Sequence, residues 1–198
     1  MIRAAGVHRT FGGVPVLRGV DLAVSAGELV TLSGPSGSGK TALLSLLCGF
    51  DVPDRGSVSP GPAPWSDCAV LPQALGLASE LTLEENVALP LRLAGLPVDG
   101  VAPLLEELGI SAVGGRFPPQ VSFGQRQRAA LARAVVARPA ALLADEPTAH
   151  LDAASAVAAV SVLRRVADEG AAVLIATHHE AVHEVADRVL VLADGRVG

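Results

Sequence analysis

One glycine-rich stretch constrains the fold of this chain more than any other feature. It reads Gly34-Pro35-Ser36-Gly37-Ser38-Gly39-Lys40-Thr41 and matches G-x-x-x-x-G-K-[ST] at every fixed position. A β-prone run (28–34) precedes it and a helical run (40–49) follows it. In such a strand–loop–helix unit the backbone N–H groups and the helix N-terminus bind phosphate. The stretch therefore predicts a P-loop within an α/β fold, with a nucleotide as the ligand.

Lys40 in this loop is the only lysine of the 198-residue chain, which has fourteen arginines. An ammonium on a flexible stem fits between the β- and γ-phosphates, where a planar guanidinium is too broad. Thr41 is expected to place its hydroxyl on Mg²⁺. A Gly/Ser-rich turn with a chance lysine would not explain why motif, setting and lone lysine agree. We therefore expect Lys40→Arg to weaken nucleotide binding.

The rest of the chain alternates short apolar runs with helical patterns. The apolar runs cover 68–73, 141–145, 171–178 and 188–195, and the helical patterns cover 81–115 (broken by Pro and Gly), 124–137, 153–170 and 179–186. The segment 56–67 is rich in Pro and Gly, which predicts a loop. Apolar strands that alternate with helices predict a parallel sheet covered on both faces.

Two adjacent carboxylates, Asp145 and Glu146, end one of these apolar runs. Ligands of open α/β sheets bind at the carboxyl edge, where this run would place both side chains. Asp145 is expected to hold Mg²⁺ and Glu146 to polarise the attacking water. An ordinary acidic pair at a helix start is the alternative, but the position of the pair about a hundred residues after a P-loop favours the catalytic role.

Composition limits the function and location of the chain. Its net charge of -5 disfavours nucleic acid as a partner. Its apolar runs, such as 171–176, are far shorter than the roughly 20 residues of a membrane span. Because the N-terminus is also unlike a signal peptide, we expect a cytoplasmic chain. The two cysteines, Cys48 and Cys68, fit neither a disulfide framework nor a metal site and are expected to be small apolar residues.

Over nearly its whole length the chain resembles the ABC-type ATPase domain, the nucleotide-binding subunit of ABC transporters. The resemblance rests on motifs in the family's order: the P-loop as Walker A, "VLPQ" ending at Gln73 as the Q-loop, "VSFGQRQR" (121–128) as the signature, "LLADEP" as Walker B, "AHLD" (149–152) as the D-loop, and "IATHH" with His178 as the switch histidine. Phe11 lies where the family has an aromatic residue that stacks on adenine.

The resemblance implies a P-loop NTPase (RecA-like) fold with a parallel-sheet core. A trimmed antiparallel β region and an inserted helical subdomain are expected beside that core. The chain would then be one ATPase domain, 1–198, with its core at about 1–73 and 138–198 and its helical subdomain at about 74–137.

The resemblance also implies MgATP hydrolysis in a head-to-tail dimer, formed with a second copy or a paralogue. Each ATP would lie between Walker A of one subunit and the signature of the other. ATP-binding residues would be Phe11, the loop from Gly34 to Thr41, Ala42 and, from the partner, Ser122, Gly124 and Gln125. Catalysis would use Glu146, Lys40, Gln73 and His178, and Mg²⁺ would lie on Thr41, Gln73 and Asp145.

A separate membrane permease is the further partner that the resemblance implies. The chain would then be peripheral at the inner face of the cell membrane. The stretch "LTLEENVALPLRLAG" (81–95) is most similar to the lipoprotein-release and macrolide-export branch of the family. Export is therefore the expected direction of transport.

The sequence departs from the family's pattern at three places. Phe123 replaces the first glycine of the signature, which is strained if that position needs a positive φ and tolerated if it does not. Ala42 lacks a hydroxyl usual in the family. The segment 49–73 is short, so adenine selectivity would depend more on Phe11, for which a core aromatic at a strand end is the alternative.

Other functions stay open at this stage. A soluble ABC-type ATPase acting on DNA or the ribosome is one, and a regulatory subunit that binds ATP without turnover is another. H-E-x-x-H at 179–183 matches a zinc-protease pattern but has no convincing third ligand. Among the arginines near the signature, we expect Arg133 and Arg138 to be solvated or ion-paired. Arg126 and Arg128 could also serve the ATP site or the permease.

Overall fold

The computed structural model describes residues 1–61, 63–64 and 67–198, which form nine strands and six α-helices. The strands are β1 (Ile2–Phe11), β2 (Val14–Val24), β3 (Leu29–Ser33), β4 (Arg55–Ser59), β5 (Cys68–Leu71), β6 (Ala141–Asp145), β7 (Ala172–Ala176), β8 (Arg188–Ala193) and β9 (Arg196–Val197). The helices are α1 (Lys40–Leu47), α2 (Leu83–Leu93), α3 (Val101–Glu107), α4 (Phe123–Val135), α5 (Ala153–Asp168) and α6 (Glu180–His183). Two 3₁₀ turns, Ser111–Val113 and Pro118–Gln120, precede α4.

The larger sheet has the strand order β5-β6-β7-β3-β8-β9. Its first five strands are parallel and β9 is antiparallel to β8. Strand β6 is buried along its whole length, with Leu142 and Ala144 in one core and Ala141 and Leu143 in the other. Side chains alternate between the faces of a strand, so both faces of this sheet are covered. The predicted parallel sheet is confirmed.

The smaller sheet is antiparallel and has the order β2-β1-β4. It packs with α1 against one face of the larger sheet. The predicted loop at 56–67 is wrong where β4 forms. Gly56 (φ 88) lies so close to β1 that a Cβ on it would meet the backbone of Ala5 and Gly6. The glycine thus permits close strand pairing rather than ending it. Pro62, Trp65 and Ser66 of the same prediction lie outside the described residues.

Helices α2, α3 and α4 lie between β5 and β6 in the chain. Together with α5 they bury the apolar core that includes Leu142 and Ala144 of β6. Helix α2 begins with a capping box in which the Thr82 hydroxyl and the Glu85 carboxylate each accept a backbone N–H. Buried Asn86 donates to the carbonyls of Ala78, Leu81 and Thr82, and so fixes the segment that leads into α2. Helix α6 is only four residues long, shorter than the predicted 179–186.

The strand order explains where the predicted site residues meet. Strands β5, β6, β7 and β3 are successive neighbours, and the loops after their carboxyl ends contain Gln73, Glu146, His178 and the P-loop. Because parallel strands end at one edge, four distant segments of the sequence come together there.

Candidate functional site

The P-loop follows β3 and leads into α1, as predicted. Gly34 (φ 145) and Gly39 (φ 105) adopt backbone conformations that L-residues rarely adopt. A Cβ at Gly34 would meet the carbonyl of Leu192, and one at Gly39 would lie 2.9 Å from Val16 Cγ1. These glycines therefore let the loop curl closely against its neighbours.

The Lys40 ammonium lies inside the curled loop. Its Nζ donates to the carbonyl oxygens of Gly34 (2.7 Å) and Pro35 (3.1 Å). Within the described residues, the Ser38 hydroxyl is buried and has no hydrogen-bond partner. A buried polar group is normally hydrogen-bonded, so Ser38 and Lys40 both fit a phosphate held in this loop.

Thr41 and Asp145 form the oxygen pair expected to hold Mg²⁺. The Thr41 hydroxyl donates to Asp145 Oδ2 at 2.7 Å. Burial raises the pKa of the Asp145 carboxyl; the Thr41 hydrogen bond and Lys40 oppose that rise, and Glu146 adds to it. Hydroxyl and carboxylate oxygens are ligands that Mg²⁺ prefers, and a dication would stabilise the charged carboxylate. The donor set thus fits the metal.

Glu146 has the most constrained position in the site. Its backbone is left-handed (φ 50), which is uncommon for a residue with a side chain. The Glu146 N–H donates to the Ala176 carbonyl at 2.8 Å. One carboxylate oxygen lies 2.7 Å from His178 Nδ1, and the other accepts from the Thr177 hydroxyl at 3.0 Å. Three hydrogen bonds therefore fix both ends of this residue.

Two cavities open on this edge of the sheet and share Ser36, Lys40, Gln73 and Glu146. The first, of about 280 Å³, is lined further by Gly37, Gly39, Thr41, Ala42 and Asp145. The second, of about 710 Å³, reaches the D-loop and is lined further by Gly34, Thr148, Ala149, His150, Leu151, His178 and His179. The structure thus brings together Lys40, Thr41, Gln73, Asp145, Glu146 and His178.

The signature residues lie outside these two cavities. Helix α4 begins at Phe123, earlier than the expected start near Gln125, with Ser122 as its N-cap. The Ser122 Oγ accepts from the Gln125 N–H at 3.2 Å, and Gln125 Oε1 accepts from the Ser122 N–H at 2.9 Å. The Ser122 hydroxyl proton stays available as a donor at the start of a 13-residue helix.

Phe123 adopts helical backbone, so the strain considered for this position is absent. Its ring is 40% exposed and meets the His150 ring edge-on, with centroids 5.1 Å apart and planes at 83°. The Arg126 guanidinium lies 5.5 Å from the same ring. Phe123 therefore packs the signature against the D-loop, in which His150 has a left-handed backbone (φ 61).

Phe11 ends β1 and is 44% exposed, which excludes the alternative of a core aromatic. One face of its ring is covered by the Arg9 guanidinium at 4.8 Å. Arg9 is itself held by Asp51 and Asp54, each at 2.8 Å. Phe11 does not line either cavity, so the structure leaves it apart from the other site residues, on an open surface.

Three arginines near the signature donate to backbone carbonyls. Arg126 donates to the carbonyls of Pro118 and Val121, and Arg128 to that of Leu108. For Arg133, expected on a solvated face with ion pairs, the expectation of a solvated side chain is wrong. Its side chain is buried and donates at 2.6 Å to the carbonyls of Leu75 and Gly76, just after Gln73. Arg138 is exposed.

The zinc-protease pattern does not form a metal site. His179 precedes the short helix α6, and His183 Nδ1 lies 2.8 Å from the Thr31 hydroxyl. No group of three or more His, Cys, Asp or Glu suited to a metal exists in the part of the chain that the structure describes. Cys48 and Cys68 are buried free thiols, and burial raises their pKa values to about 12 and about 11.

Sequence reasoning missed the supporting roles of three residues. The Thr177 hydroxyl holds Glu146, the Gln127 amide holds the backbone after β6, and the Arg133 guanidinium holds the backbone after Gln73. Gln127 and Arg133 could have been found as polar residues on the buried face of an amphipathic helix, where an unpaired polar group is costly.

Comparison with known proteins agrees with this geometry. The family model described as "ABC transporter" matches residues 17–149. The lipoprotein-releasing system ATP-binding protein LolD of Legionella pneumophila (strain Lens) is 40% identical over 206 residues, covering 95% of this chain and 91% of that protein. The methionine import ATP-binding protein MetN of Brucella abortus (strain 2308) is 35% identical over the whole chain, which spans 58% of that protein.

Solved structures are similar as well. The dimeric structure of MJ0796, a bacterial ABC transporter cassette, superposes with a TM-score of 0.91 at 29% identity, covering 100% of this chain and 96% of that one. A post-hydrolysis dimer of the same cassette, bound to ADP and Pi, gives a TM-score of 0.90. No helix in the described residues is long and apolar enough to cross a membrane.

These relatives and the cassette dimers confirm the expected fold and MgATP as the nucleotide. They also confirm the two expected partners, a second ATPase subunit and a membrane permease. The chain belongs to the ABC transporter family, as one of its ATP-binding ATPase subunits.

Proposed function

We propose that Glu146 is the general base of ATP hydrolysis in this subunit. The observation that supports this role is its double restraint, by Thr177 at 3.0 Å and His178 at 2.7 Å, at the rim of the P-loop cavity. A fixed carboxylate can accept the proton of a water that attacks the γ-phosphate. His178 and the Gln73 amide would orient the water and the γ-phosphate.

The P-loop binds the phosphates in the same proposal. Lys40 exchanges its two carbonyl partners for β- and γ-phosphate oxygens, and the N–H groups of the loop residues other than Pro35 surround the phosphates. Bound Mg²⁺ supplies positive charge that offsets the negative charge of the phosphates in the transition state. Thr41, Asp145 and Gln73 would hold it. Ala42 contributes its backbone N–H, and Phe11 offers the free face of its ring to adenine.

The signature acts in trans in this proposal. Ser122 and the N–H groups of Gly124 and Gln125 would bind the γ-phosphate on the partner subunit, at the start of α4. Residues 74–137 would form the helical subdomain that faces the permease, and 1–73 with 138–198 the core. The subunit would work at the inner face of the membrane.

Glu146→Gln tests the role of the base. We expect it to reduce phosphate release by about 10³-fold, comparable to loss of a positioned catalytic group, while the dissociation constant for ATP changes by less than about threefold. Lys40→Ala is the matched control, since it should weaken ATP binding itself. Turnover that survives Glu146→Gln within tenfold would assign the base to another residue.

We further propose that transport is outward, in the manner of the lipoprotein-releasing relatives. Two such proteins, from Legionella pneumophila and Caulobacter vibrioides, are 40% and 41% identical and are covered over 91% and 94% of their lengths. The methionine importer is covered over 58% only. The tagged chain can be captured with its permease in detergent and reconstituted in vesicles. ATP-driven release of a lipid-modified protein would support export, and uptake of a small solute would contradict it.

A further inference from the structure

Gln127 lies in the first half of α4 and is 3% exposed. Its side-chain amide Nε2 donates to the carbonyl of Glu146 at 3.0 Å and to that of Pro147 at 3.1 Å. Both carbonyls belong to the turn that follows β6. One amide therefore ties the signature helix to the backbone of the proposed base.

This contact completes the restraints on Glu146. Its N–H is held by β7 through Ala176, and its carboxylate by Thr177 and His178. Its carbonyl accepts from Gln127 Nε2 and from the Ala149 N–H at 3.2 Å. The left-handed backbone at Glu146 is costly for a residue with a Cβ and persists only where surrounding contacts define it. Gln127 supplies the contact that comes from the helical segment.

Ser122 is the N-cap of the same helix, about one and a half turns before Gln127. A helix of this length moves as a rigid element, so a displacement of its N-terminus reaches the Glu146 carbonyl through one side chain. Ser122 faces the partner's ATP and Glu146 serves the subunit's own ATP in the proposed function. The geometry therefore links the two ATP sites of a dimer through a single amide.

We propose that Gln127 is a positioning residue for Glu146, which couples the orientation of the signature helix to that of the base. This inference rests on the proposed role of Glu146. Gln127 does not line the P-loop cavity, so its effect on catalysis would pass through the backbone of Glu146 and Pro147.

Gln127→Met tests the inference, because it preserves length and volume but removes both donors. We expect kcat to fall about 10- to 100-fold, since a displacement of about 1 Å at a reacting group can cost about 10²-fold. KM for ATP and the dissociation constant for ATP should change by less than about twofold. Gln127→Leu, which is apolar and cannot donate, should give the same separation of kcat from KM if the methionine variant folds poorly.

Gln120→Met is the matched control, since Gln120 is exposed on a 3₁₀ turn before the same helix and should leave kcat unchanged. In a Glu146→Gln chain, adding Gln127→Met should lower the residual rate by less than about twofold. An unchanged kcat in both Gln127 variants, or equal losses of kcat and ATP affinity, would overturn the inference. If Glu146→Gln itself keeps its turnover, the proposed base fails instead, which is a distinct result.

Discussion

At the residue scale, the substitution of Phe for Gly in the signature has a structural explanation. Phe123 occupies the first turn of α4 with helical backbone and contacts His150 of the D-loop. A glycine there would offer no conformational advantage, because the position does not need a positive φ. The aromatic side chain instead joins two segments that both border the nucleotide site.

Phe123→Gly should therefore destabilise the fold rather than relieve strain. Loss of the edge-on ring pair removes about 0.5–1.5 kcal/mol, and glycine in a helix costs about 0.5–1 kcal/mol more. We expect the free energy of unfolding in urea to fall by about 1–2.5 kcal/mol. An increase in that free energy would show that Phe123 is strained after all. Phe117→Gly, at an exposed aromatic before the helix, is a useful comparison.

At the element scale, α4 organises the site through polar side chains that donate to backbone carbonyls. Arg126 and Arg128 hold the segments before the helix, and Gln127 holds the turn after β6. Arg133 holds the segment just after the Q-loop, at Leu75 and Gly76. Leu75 (φ 23) and Gly76 (φ 58) both have positive φ. The buried guanidinium thus stabilises an unusual backbone two residues from Gln73.

Arg133→Met should lower the free energy of unfolding, because it removes the two hydrogen bonds to Leu75 and Gly76. Hydrogen bonds to charged groups contribute about 1.5–3 kcal/mol, and the carbonyls of Leu75 and Gly76 lose this donor. We expect a loss of about 1–3 kcal/mol in the free energy of unfolding, together with faster amide exchange at 74–77. The same change at exposed Arg138 should alter stability by less than about 0.5 kcal/mol. Equal stability of the two variants would contradict this role.

Element types were predictable from the sequence where one signal dominated. The runs at 141–145 and 172–176 are buried strands because their apolar side chains pack alternately into the cores on the two faces of the sheet. Strand β4 was not predictable, since Gly56 and the prolines after it suggest a loop while close pairing with β1 needs that glycine. The bond from Gln127 to the turn after β6 spans 19 residues of sequence and depends on tertiary packing that no local pattern encodes.

At the scale of the whole molecule, Asp187 joins three elements. Its carboxylate accepts from the Leu29 N–H at the start of β3 and from Arg164 of α5, each at 2.8 Å, and it directly precedes β8. The Arg164 hydrogen bond lowers the pKa of Asp187, and the Leu29 N–H adds to this. A lowered pKa stabilises the fold above the unfolded pKa, and this stability is lost as pH falls through the folded value.

Asp187→Asn should therefore make the free energy of unfolding depend less on pH in the acid range. The side chain is 48% exposed, so after solvent screening we expect a loss of no more than about 1 kcal/mol at pH 7. The difference between the two proteins should disappear as pH falls from the ordinary Asp pKa of about 4 to lower values. Urea unfolding at several pH values measures this. A difference that stays constant down to pH 2 would exclude the Asp187 charge as its cause.

The most direct test is ATP hydrolysis by the purified chain over a wide range of protein concentration, with Glu146→Gln as control and light scattering to follow assembly. If two chains complete each other's sites, the rate should rise faster than linearly with protein concentration. Dimers should appear when ATP is bound, and the control should lose nearly all turnover. A specific rate that stays constant while the chain is monomeric would contradict a site shared between two subunits.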